Sequence, residues 1–462
     1  MAIGVIGIIL SLILLMYLAY RGISVLILAP ILACFAAFLG GLATGDIHIL
    51  ATYTEVFMTS LGGYVMKYFP LFLLGAIFGK VMDDTGAAKA IANVICKKLG
   101  EKRAIAAIVL ACSVLTYGGV SLFVVAFAVY PIAAELFREL NIPKRFIPGA
   151  IALGAFTFTM TALPGTPQIQ NAIPMQYFGT DVYAAPILGI VASAVMLFGG
   201  LFWLQYRANK AMKGGEGYGE HKNENIIKFD EDSLPNFWIS MLPIIVVLGM
   251  SFILSKYIFP HTNLNYLDKY NTTASKVIGN WSLIVSLIFS IIIAYIFNYK
   301  KMKNPIETLT KGVNGSFLAV MNTASEVGYG NVIAGLAAFV AIKGALLGLS
   351  SNPLISEAVS VSSLAGITGS ASGGLSIALG ALGDVYLKEA SALGINPEVL
   401  HRIAAIACGG LDTLPHNGAV ITLLGVTGMT HKESYLDIGM CTAIIPILAV
   451  IVCIILGSMG IV

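Results

Sequence analysis

Charged side chains are scarce in this chain of 462 residues. Lys, Arg, Asp and Glu make up 11% of the sequence, less than half of the roughly 25% that a soluble protein carries. Hydrophobic residues make up 57%, and the mean hydropathy is +0.87. So few charges cannot cover a water-soluble protein of this size, which excludes a soluble enzyme, a nucleic-acid-binding protein and a disordered scaffold. The composition indicates a helical protein that crosses the membrane several times.

Motifs for metals and cofactors are also missing. The six cysteines lie in apolar stretches without the spacing of a metal site, so we interpret them as small core residues. Neither an HExxH zinc motif nor a Walker A motif is present, so we expect no metal, no cofactor and no ATP-driven transport. Two other classes stay open as alternatives: an intramembrane enzyme with Ser121 as nucleophile, and a channel or receptor.

Long apolar runs account for most of the chain. A helix needs about 20 apolar residues to cross the hydrocarbon core of a bilayer. The runs that meet this length are 2–20, 23–44, 63–82, 182–206, 236–258, 279–298, 313–340 and 435–458. Polar stretches rich in Gly or Pro interrupt four further hydrophobic regions, which are 104–137, 145–179, 353–387 and 397–429.

The two halves of the chain repeat one another. A constant shift of 251 residues carries Gly79 onto Gly330, Gly118 onto Gly369, Ser121 onto Ser372 and Pro164 onto Pro415. Each repeat has three full helices, two interrupted segments and a last helix. We therefore divide the chain into a first repeat (1–206), a solvated cytoplasmic linker (207–235) and a second repeat (236–462).

Basic residues predict the orientation of the crossings. The connections 97–103, 207–228 and 300–311 are the richest in Lys and Arg, which places them in the cytoplasm. The regions 104–137 and 353–387 then become re-entrant hairpins entered from opposite sides, and both termini lie outside. We expect an all-α polytopic protein with two inverted repeats, about ten transmembrane helices (two of them broken) and two re-entrant hairpins. This is the plan of a cytoplasmic-membrane transporter that binds its substrate near the midplane.

The four interruptions are the candidate substrate site. Non-helical backbone at membrane depth is tolerated only where it is buried in protein or lines a cavity. A single Gly-Gly pair would indicate a kink or a packing contact, but four breaks in register favour a binding site. Free amides, hydroxyls and carboxamides with few fixed charges suit a small hydroxylated carboxylate. The expected substrate-binding residues are Gly118, Gly119, Ser121, Thr166, Gln168, Asn171, Gly369, Ser370, Ser372, Thr413 and Asn417.

Three titratable residues are candidates for coupling to a proton. Ionisable side chains within membrane segments are costly and are functional candidates by default. Asp412 follows this rule, although it could instead cap the half-helix that follows it. His416 is a rival proton carrier or a direct carboxylate ligand. Glu326 is a second proton-site candidate, with a buried partner pair as its alternative.

Several segments resemble the gluconate:proton symporter (GntP) family. They are the block from Tyr117 to Phe123, the break from Ala162 to Pro167 and the break from Gly409 to Gly418. The resemblance implies the ion-transporter superfamily fold, with a homodimer, a scaffold domain and a transport domain that carries the two hairpins. It also implies proton-coupled uptake of a small organic anion by an elevator motion.

The same resemblance narrows the expected substrate. Where the sugar-acid members have a glycine-rich run, this chain has Ser325-Glu326-Val327-Gly328. The pattern is more similar to hydroxybutyrate permeases, which favours a short hydroxy- or keto-acid over gluconate. The Ser-Asn-Thr tips of related sodium–dicarboxylate carriers are absent. Sodium coupling is therefore the alternative rather than the expectation.

Overall fold

The computed structural model of the chain describes residues 2–21, 23–45, 47–100, 103–221, 234–348, 350–415 and 417–462. Over these ranges the regular structure is helical throughout, with no strand. Apolar side chains such as Leu50, Met66 and Phe202 are 75–80% exposed, as expected of surfaces that face lipid. Helices with the length and composition to cross a membrane are Val25–Leu42, Ile49–Asp84, Pro186–Lys213, Phe237–His261, Ala274–Lys301 and His431–Ser458.

The first half begins with long helices and continues with shorter ones. Its helices are α1 (Ala2–Tyr20), α2 (Val25–Thr44), α3 (Ile49–Ala51), α4 (Met58–Asp84), α5 (Ala87–Leu99), α6 (Ala104–Tyr117), α7 (Leu122–Glu139), α8 (Ile147–Ala155), α9 (Phe158–Thr161), α10 (Ile169–Phe178) and α11 (Pro186–Lys213). A π-helical turn, Thr52–Phe57, joins α3 to α4, so the helix expected over 63–82 begins earlier.

The second half follows a similar order. Its helices are α12 (Phe237–Ile253), α13 (Ala274–Asn298), α14 (Pro305–Gly335), α15 (Phe339–Leu347), α16 (Pro353–Thr368), α17 (Ala371–Ala392), α18 (Pro397–Cys408), α19 (Gly418–Thr427), α20 (His431–Gly439) and α21 (Ile445–Ser458). The helix expected over 313–340 begins at Pro305 instead. Asn304 caps it by accepting a hydrogen bond from the Glu307 N–H at 3.2 Å, and proline suits the first helical position.

Two helical hairpins lie where the sequence places them. The first consists of α6 and α7, and we call its turn, residues 118–121, tip 1. The second consists of α16 and α17, and its turn, residues 369–370, is tip 2. Gly119 (φ +92°) and Gly369 (φ +64°) adopt the left-handed conformation that glycine accepts without strain.

Two helices are broken. The segment expected to break at Pro164 has two interruptions: a short one between α8 and α9, and a longer one at residues 162–168, which we call break 1. The short one arises where the Thr157 side chain donates to the Leu153 carbonyl at 2.6 Å, which competes with regular helix. The second broken helix is interrupted at residues 409–417, which we call break 2, and a 3-10 turn (Leu411–Thr413) lies within it.

The helices pack in two groups. Helices α1–α4 pack with α12–α14, while α6–α11 pack with α16–α21. Within the second group the two halves cross over. The α17 arm of the second hairpin packs on α10 of the first half, and the α7 arm of the first hairpin packs on α19 of the second half. Each broken helix is therefore held by hairpins from both halves.

The basic connections share one face of the molecule. The Lys98 ammonium lies 5.7 Å from the centre of the Phe237 ring, which brings the end of α5 to the start of α12. Thr308 donates to Asp84 at 2.7 Å, which brings the start of α14 to the end of α4. Both termini lie at the opposite face, where Asn352 donates to Ser458 at 2.8 Å.

The linker differs from the sequence expectation at its start. Helix α11 continues through Lys213, so the helical segment extends past the boundary placed at residue 207. The next residues are mostly exposed, as expected, but Tyr218 is docked: it is 6% exposed, and its N–H donates to Asn141 at 3.0 Å. Glu216 binds Arg145 at 2.6 Å. Residues 222–233 of the linker lie outside the described ranges.

Candidate functional site

Tip 1 and break 1 are bound into one unit by side chains. The Gln168 carboxamide donates to the Thr116 carbonyl at 2.8 Å and to the Val120 carbonyl at 3.4 Å. The Tyr117 hydroxyl donates to the Pro164 carbonyl at 2.6 Å. A Cβ on Gly119 would approach Pro167 to 3.0 Å, so glycine is also needed for this close contact. Hairpin and broken helix thus share their polar groups at one place.

Tip 2 and break 2 are joined in the same manner. The Asn417 carboxamide donates to the Gly369 carbonyl at 2.9 Å, while its oxygen accepts from the Val420 N–H at 2.9 Å. A Cβ on Gly366 would lie 2.9 Å from Leu411, so the first arm of the hairpin also touches the break. Each half therefore uses one carboxamide of a broken helix to hold the turn of a hairpin.

The two units differ in how their helices begin. In the second half Ser370 caps α17 by accepting from the Gly373 N–H at 3.1 Å, and Asn417 caps α19. In the first half neither Ser121, before α7, nor Gln168, before α10, makes a side-chain cap. The first N–H groups of a helix have no partner within the helix. Gln168 therefore brings together the starts of two helices, and no side chain caps the N–H groups of either one. This arrangement favours binding of an anion.

Hydroxyl groups accompany these amides. Thr116 and Thr166 are fully buried, and the side-chain oxygen of each has no hydrogen-bond partner among the described residues. Ser121 is partly buried, and a Cβ on Gly79 would lie 3.5 Å from its backbone nitrogen. A buried hydroxyl without a partner is costly, so these groups suit a bound hydroxylated ligand.

Asn171 is buried at the same place but has no free polar group. Its two N–H groups donate to the carbonyls of Thr166 (3.0 Å) and Val182 (2.9 Å). Its oxygen accepts from Arg402 at 3.0 Å and from His401 at 3.1 Å. Two donors and two lone pairs are the full capacity of a carboxamide. Asn171 therefore holds break 1 in shape and has nothing to offer a substrate.

His401 and Arg402 are two polar residues next to break 1 that sequence reasoning missed. Both are fully buried in α18. Because Asn171 accepts from Nε2 of His401, the other ring nitrogen of a neutral imidazole accepts from the Thr180 hydroxyl, at 2.6 Å. Their sequence signal is that His401 and Arg402 are ionisable residues within the hydrophobic region 397–429, which marks them as functional candidates.

Arg402 uses all five of its N–H donors within the protein. It donates to the carbonyls of Ala184 (2.7 and 3.0 Å), Val182 (3.3 Å) and Thr161 (3.4 Å) and to Asn171. A guanidinium has five such donors. Its hydrogen bonds tie α18 of the second half to the backbone on both sides of break 1.

Glu326 lies against the start of α17. It is 5% exposed, and its Oε2 atom has no hydrogen-bond partner among the described residues. A Cβ on Gly373 would collide with this carboxyl group and would come within 3.0 Å of the Ser370 hydroxyl, so only glycine fits there. Ser372, in the first turn of α17, pairs with Thr323 at 3.3 Å. A buried carboxyl group thus lies at tip 2 without a cationic partner in the described part of the chain.

Asp412 lies in the 3-10 turn of break 2. It is 8% exposed, and its Oδ1 atom has no partner among the described residues. The capping role considered for it is wrong, since Asn417 caps α19. Thr413 pairs with Thr442 at 2.7 Å, so its hydroxyl is engaged within the protein. His416 lies outside the described residues.

One groove of the described structure lies away from the breaks. It has a volume of about 730 Å³ and lies between the start of α12 and the end of α13, lined by residues such as Ile239, Tyr295 and Lys300. The polar groups of the candidate site lie instead at the two tips and breaks.

Comparison with known proteins agrees with this architecture. The model of the GntP family permeases matches residues 1–459. The uncharacterised transporter YxjC of Bacillus subtilis (strain 168) is 46% identical over 453 residues, which cover 95% of each chain. A gluconate permease of the same organism is 29% identical over 262 residues, covering 54% of this chain and 55% of its own.

A solved structure has a similar fold. The crystal structure of the YdaH transporter of Alcanivorax borkumensis superposes with a TM-score of 0.58 and 16% identity, and the match covers 89% of each chain. The family match over nearly the whole chain and the 46% identical transporter show that the protein is a multi-pass membrane transporter. It is therefore not an enzyme with Ser121 as nucleophile. The chain belongs to the GntP permease family and is a secondary transporter.

Proposed function

We propose that this chain carries a small hydroxycarboxylate, of the 3-hydroxybutyrate or sugar-acid class, across the cytoplasmic membrane together with a proton. The observation that carries the proposal is the pair of helix starts, α7 and α10, that Gln168 holds side by side without side-chain caps. Their free amides receive the carboxylate. The unpartnered hydroxyls of Thr116 and Thr166 receive the hydroxyl group of the substrate.

Gluconate permeases among the relatives support an organic anion as substrate. They match only about half of this chain, at 27–29% identity, so the sugar acid itself does not follow from them. The site offers several hydroxyl groups but, with Arg402 saturated, no free arginine among the described residues. A monocarboxylate with a hydroxyl group fits this better than a dicarboxylate.

The coupling proton is assigned to the second half. Asp412 at break 2 and Glu326 at tip 2 are buried carboxyl groups with an unpartnered oxygen. A buried carboxylate is strongly disfavoured unless it is paired or protonated. Proton binding at these groups therefore stabilises the arrangement around both tips, and proton release destabilises it.

The packing supports inverted repeats and an elevator motion. The group α1–α4 with α12–α14 serves as the scaffold, and the group α6–α11 with α16–α21 moves as the transport domain. The basic face lies in the cytoplasm and both termini lie outside, in keeping with the positive-inside rule. A homodimer through the scaffold group completes the proposal.

The decisive experiment is uptake into proteoliposomes that contain the purified protein. Radiolabelled 3-hydroxybutyrate and gluconate are offered with an imposed pH gradient, with a sodium gradient, and with neither. We expect accumulation of 3-hydroxybutyrate only when the outside is acidic, and loss of this accumulation when a protonophore is added. Accumulation that follows the sodium gradient and ignores the pH gradient would disprove proton coupling. Failure to accumulate either acid under any gradient would disprove the substrate class.

A further inference from the structure

One face of α17 carries a row of small or polar residues. Gly373, Ser376, Gly380 and Asp384 follow at intervals of three and four residues, so they lie on the same side of the helix. The row begins at tip 2, inside the protein. It ends at Asp384, which is exposed. The row therefore connects the interior at Glu326 with the face of the molecule that lies opposite the basic connections.

Buried polar atoms border the inner end of this row. The Glu326 carboxyl group lies against Gly373. One turn further on, the hydroxyls of Ser376 (2% exposed) and Tyr64 (4% exposed) are neighbours, and neither has a hydrogen-bond partner among the described residues. Side chains from α14, α17 and α4 thus lie in the same region, and each has an oxygen atom without a hydrogen-bond partner among the described residues. Buried polar groups are normally hydrogen-bonded, so this cluster calls for a function.

The outer end of the row is bordered by Tyr177 and Asn331. A Cβ placed on Gly380 would lie 3.7 Å from both the Tyr177 hydroxyl and the Asn331 side-chain oxygen. Gly380 is exposed, and Tyr177 and Asn331 are partly buried, so bulk water reaches the polar atoms at this position. A Cβ on Gly383, the residue before Asp384, would lie 3.3 Å from the Tyr177 ring. Polar groups therefore follow one another from the buried cluster to the exposed part of α17.

Other titratable groups on the neighbouring helices do not belong to this row. The Tyr68 hydroxyl is used by the Ile173 carbonyl at 3.4 Å, and Tyr329 pairs with Ser11 at 2.7 Å. His401 and Arg402 are engaged at break 1. The remaining groups lie on the other side of α17 or face outward, and they are Glu357, Tyr386, Lys67, Lys388 and Glu389.

We propose that this row is the path by which the coupling proton reaches Glu326 from outside, which rests on the proton symport proposed above. A proton from bulk water enters at the exposed turn of α17 that carries Gly380 and Asp384, and passes on through Tyr177. The Ser376 and Tyr64 hydroxyls, with water between them, each accept one proton and release another and end unchanged. The Glu326 carboxylate receives the proton and becomes neutral. Substrate itself binds elsewhere, at break 1.

Two transport assays separate this path from substrate binding. Uptake driven by an acidic exterior requires net proton movement along the path. Exchange of external label for internal unlabelled substrate at equal pH requires none. We expect Tyr177→Phe and Ser376→Ala to slow gradient-driven uptake about tenfold or more, since they interrupt proton transfer, while exchange stays within about twofold of wild type. Tyr386→Phe is the matched control, because its hydroxyl, on the other face of α17, binds Ser360 at 2.8 Å. It should leave both assays unchanged.

The outcomes of these two assays test the proposed proton path directly. Gradient-driven uptake equal to wild type in both variants would overturn the path. Parallel loss of exchange and uptake would also overturn it, because the residues would then act in folding or substrate binding. If uptake by the wild-type protein does not depend on the pH gradient, the proposed proton symport is wrong, whatever the variants show. That result is recognised without any variant.

Discussion

Arg402 offers the most direct test of how the site is built. An arginine buried at the centre of an anion transporter would ordinarily be assigned to the substrate carboxylate. The hydrogen bonds argue otherwise, because all five donors are used by protein oxygens. We predict that Arg402→Met lowers the stability of the protein rather than its affinity for substrate.

The size of the effect follows from the acceptors that lose their partner. Ala184 O receives two of the hydrogen bonds, at 2.7 and 3.0 Å. Val182 O and the Asn171 side-chain oxygen each keep another donor. Hydrogen bonds to charged groups are worth about 1.5–3 kcal/mol each, and unpaired buried groups cost about 1–3 kcal/mol. The cost of burying the guanidinium is recovered in the variant. We expect a net destabilisation of about 3 kcal/mol.

Thermal denaturation in detergent tests this loss of stability. The measurement is the midpoint temperature at which half of the protein is no longer monodisperse. Arg402→Met should lower the midpoint by several degrees, and saturating substrate should raise the midpoints of variant and wild type by similar amounts. The exposed Arg21 provides a matched control, since Arg21→Met should change stability by less than about 0.5 kcal/mol. A variant with an unchanged midpoint and a greatly raised KM would refute the reasoning, because Arg402 would then be a substrate ligand.

Three further predictions concern contacts elsewhere in the protein. Gln168→Met keeps the side-chain length but removes both donors to tip 1, so kcat/KM for uptake should fall about tenfold or more. The Arg145 guanidinium lowers the pKa of Glu216 below its ordinary value. The ion pair between Arg145 and Glu216 therefore stabilises the protein at neutral pH. This stabilisation is lost as the pH falls through the lowered pKa of Glu216, below about pH 4. Lys256, in the π-helical turn that follows α12, binds Asp181 in the loop after α10 at 2.6 Å. Lys256→Met should change the uptake rate by less than about fivefold, because partly exposed ion pairs contribute at most about 1 kcal/mol.

Each of these predictions has a control and a result that would contradict it. For Gln168→Met the control is Gln205→Met, which removes an exposed carboxamide in α11, and equal uptake by the two variants would remove Gln168 from the site. For Glu216, thermal midpoints of wild type and Glu216→Gln should differ at pH 7 and converge below pH 4. A difference that persists in acid would contradict the assignment. For the ion pair, exchanging the two charges should restore the rate lost in Lys256→Met.

Sequence patterns were sufficient for the positions of the two hairpins. Tip 1 and tip 2 lie within the glycine-containing stretches after Thr116 and Thr368, because glycine in the left-handed conformation ends one arm and begins the next. Helix bounds were less predictable. The π-turn before α4 and the cap at Asn304 extend two helices beyond their most apolar residues, where hydropathy alone gives no signal.

The sequence predicted where the candidate site lies but not which role each of its residues has. Asn171 and Gln168 are similar carboxamides in one short segment, yet one is saturated and the other bridges two elements. The difference depends on Arg402, which lies 231 residues further along the chain than Asn171. No local pattern contains that information. Asp412 shows the same limit, because the neighbouring Asn417 takes the capping position that either residue type could fill.

The crossed packing of the two halves has a consequence for biogenesis. Tyr130 of α7 donates to the Thr427 carbonyl at 3.3 Å, and 297 residues separate the two. At the usual pace of protein synthesis, about 5–20 residues per second, the first hairpin is made roughly 15–60 seconds before its partner in the second half. During that interval the backbone carbonyls on both sides of break 1 lack the arginine that later binds them. The hydrogen bonds that hold the first broken helix are therefore completed only after α18 of the second half has been made.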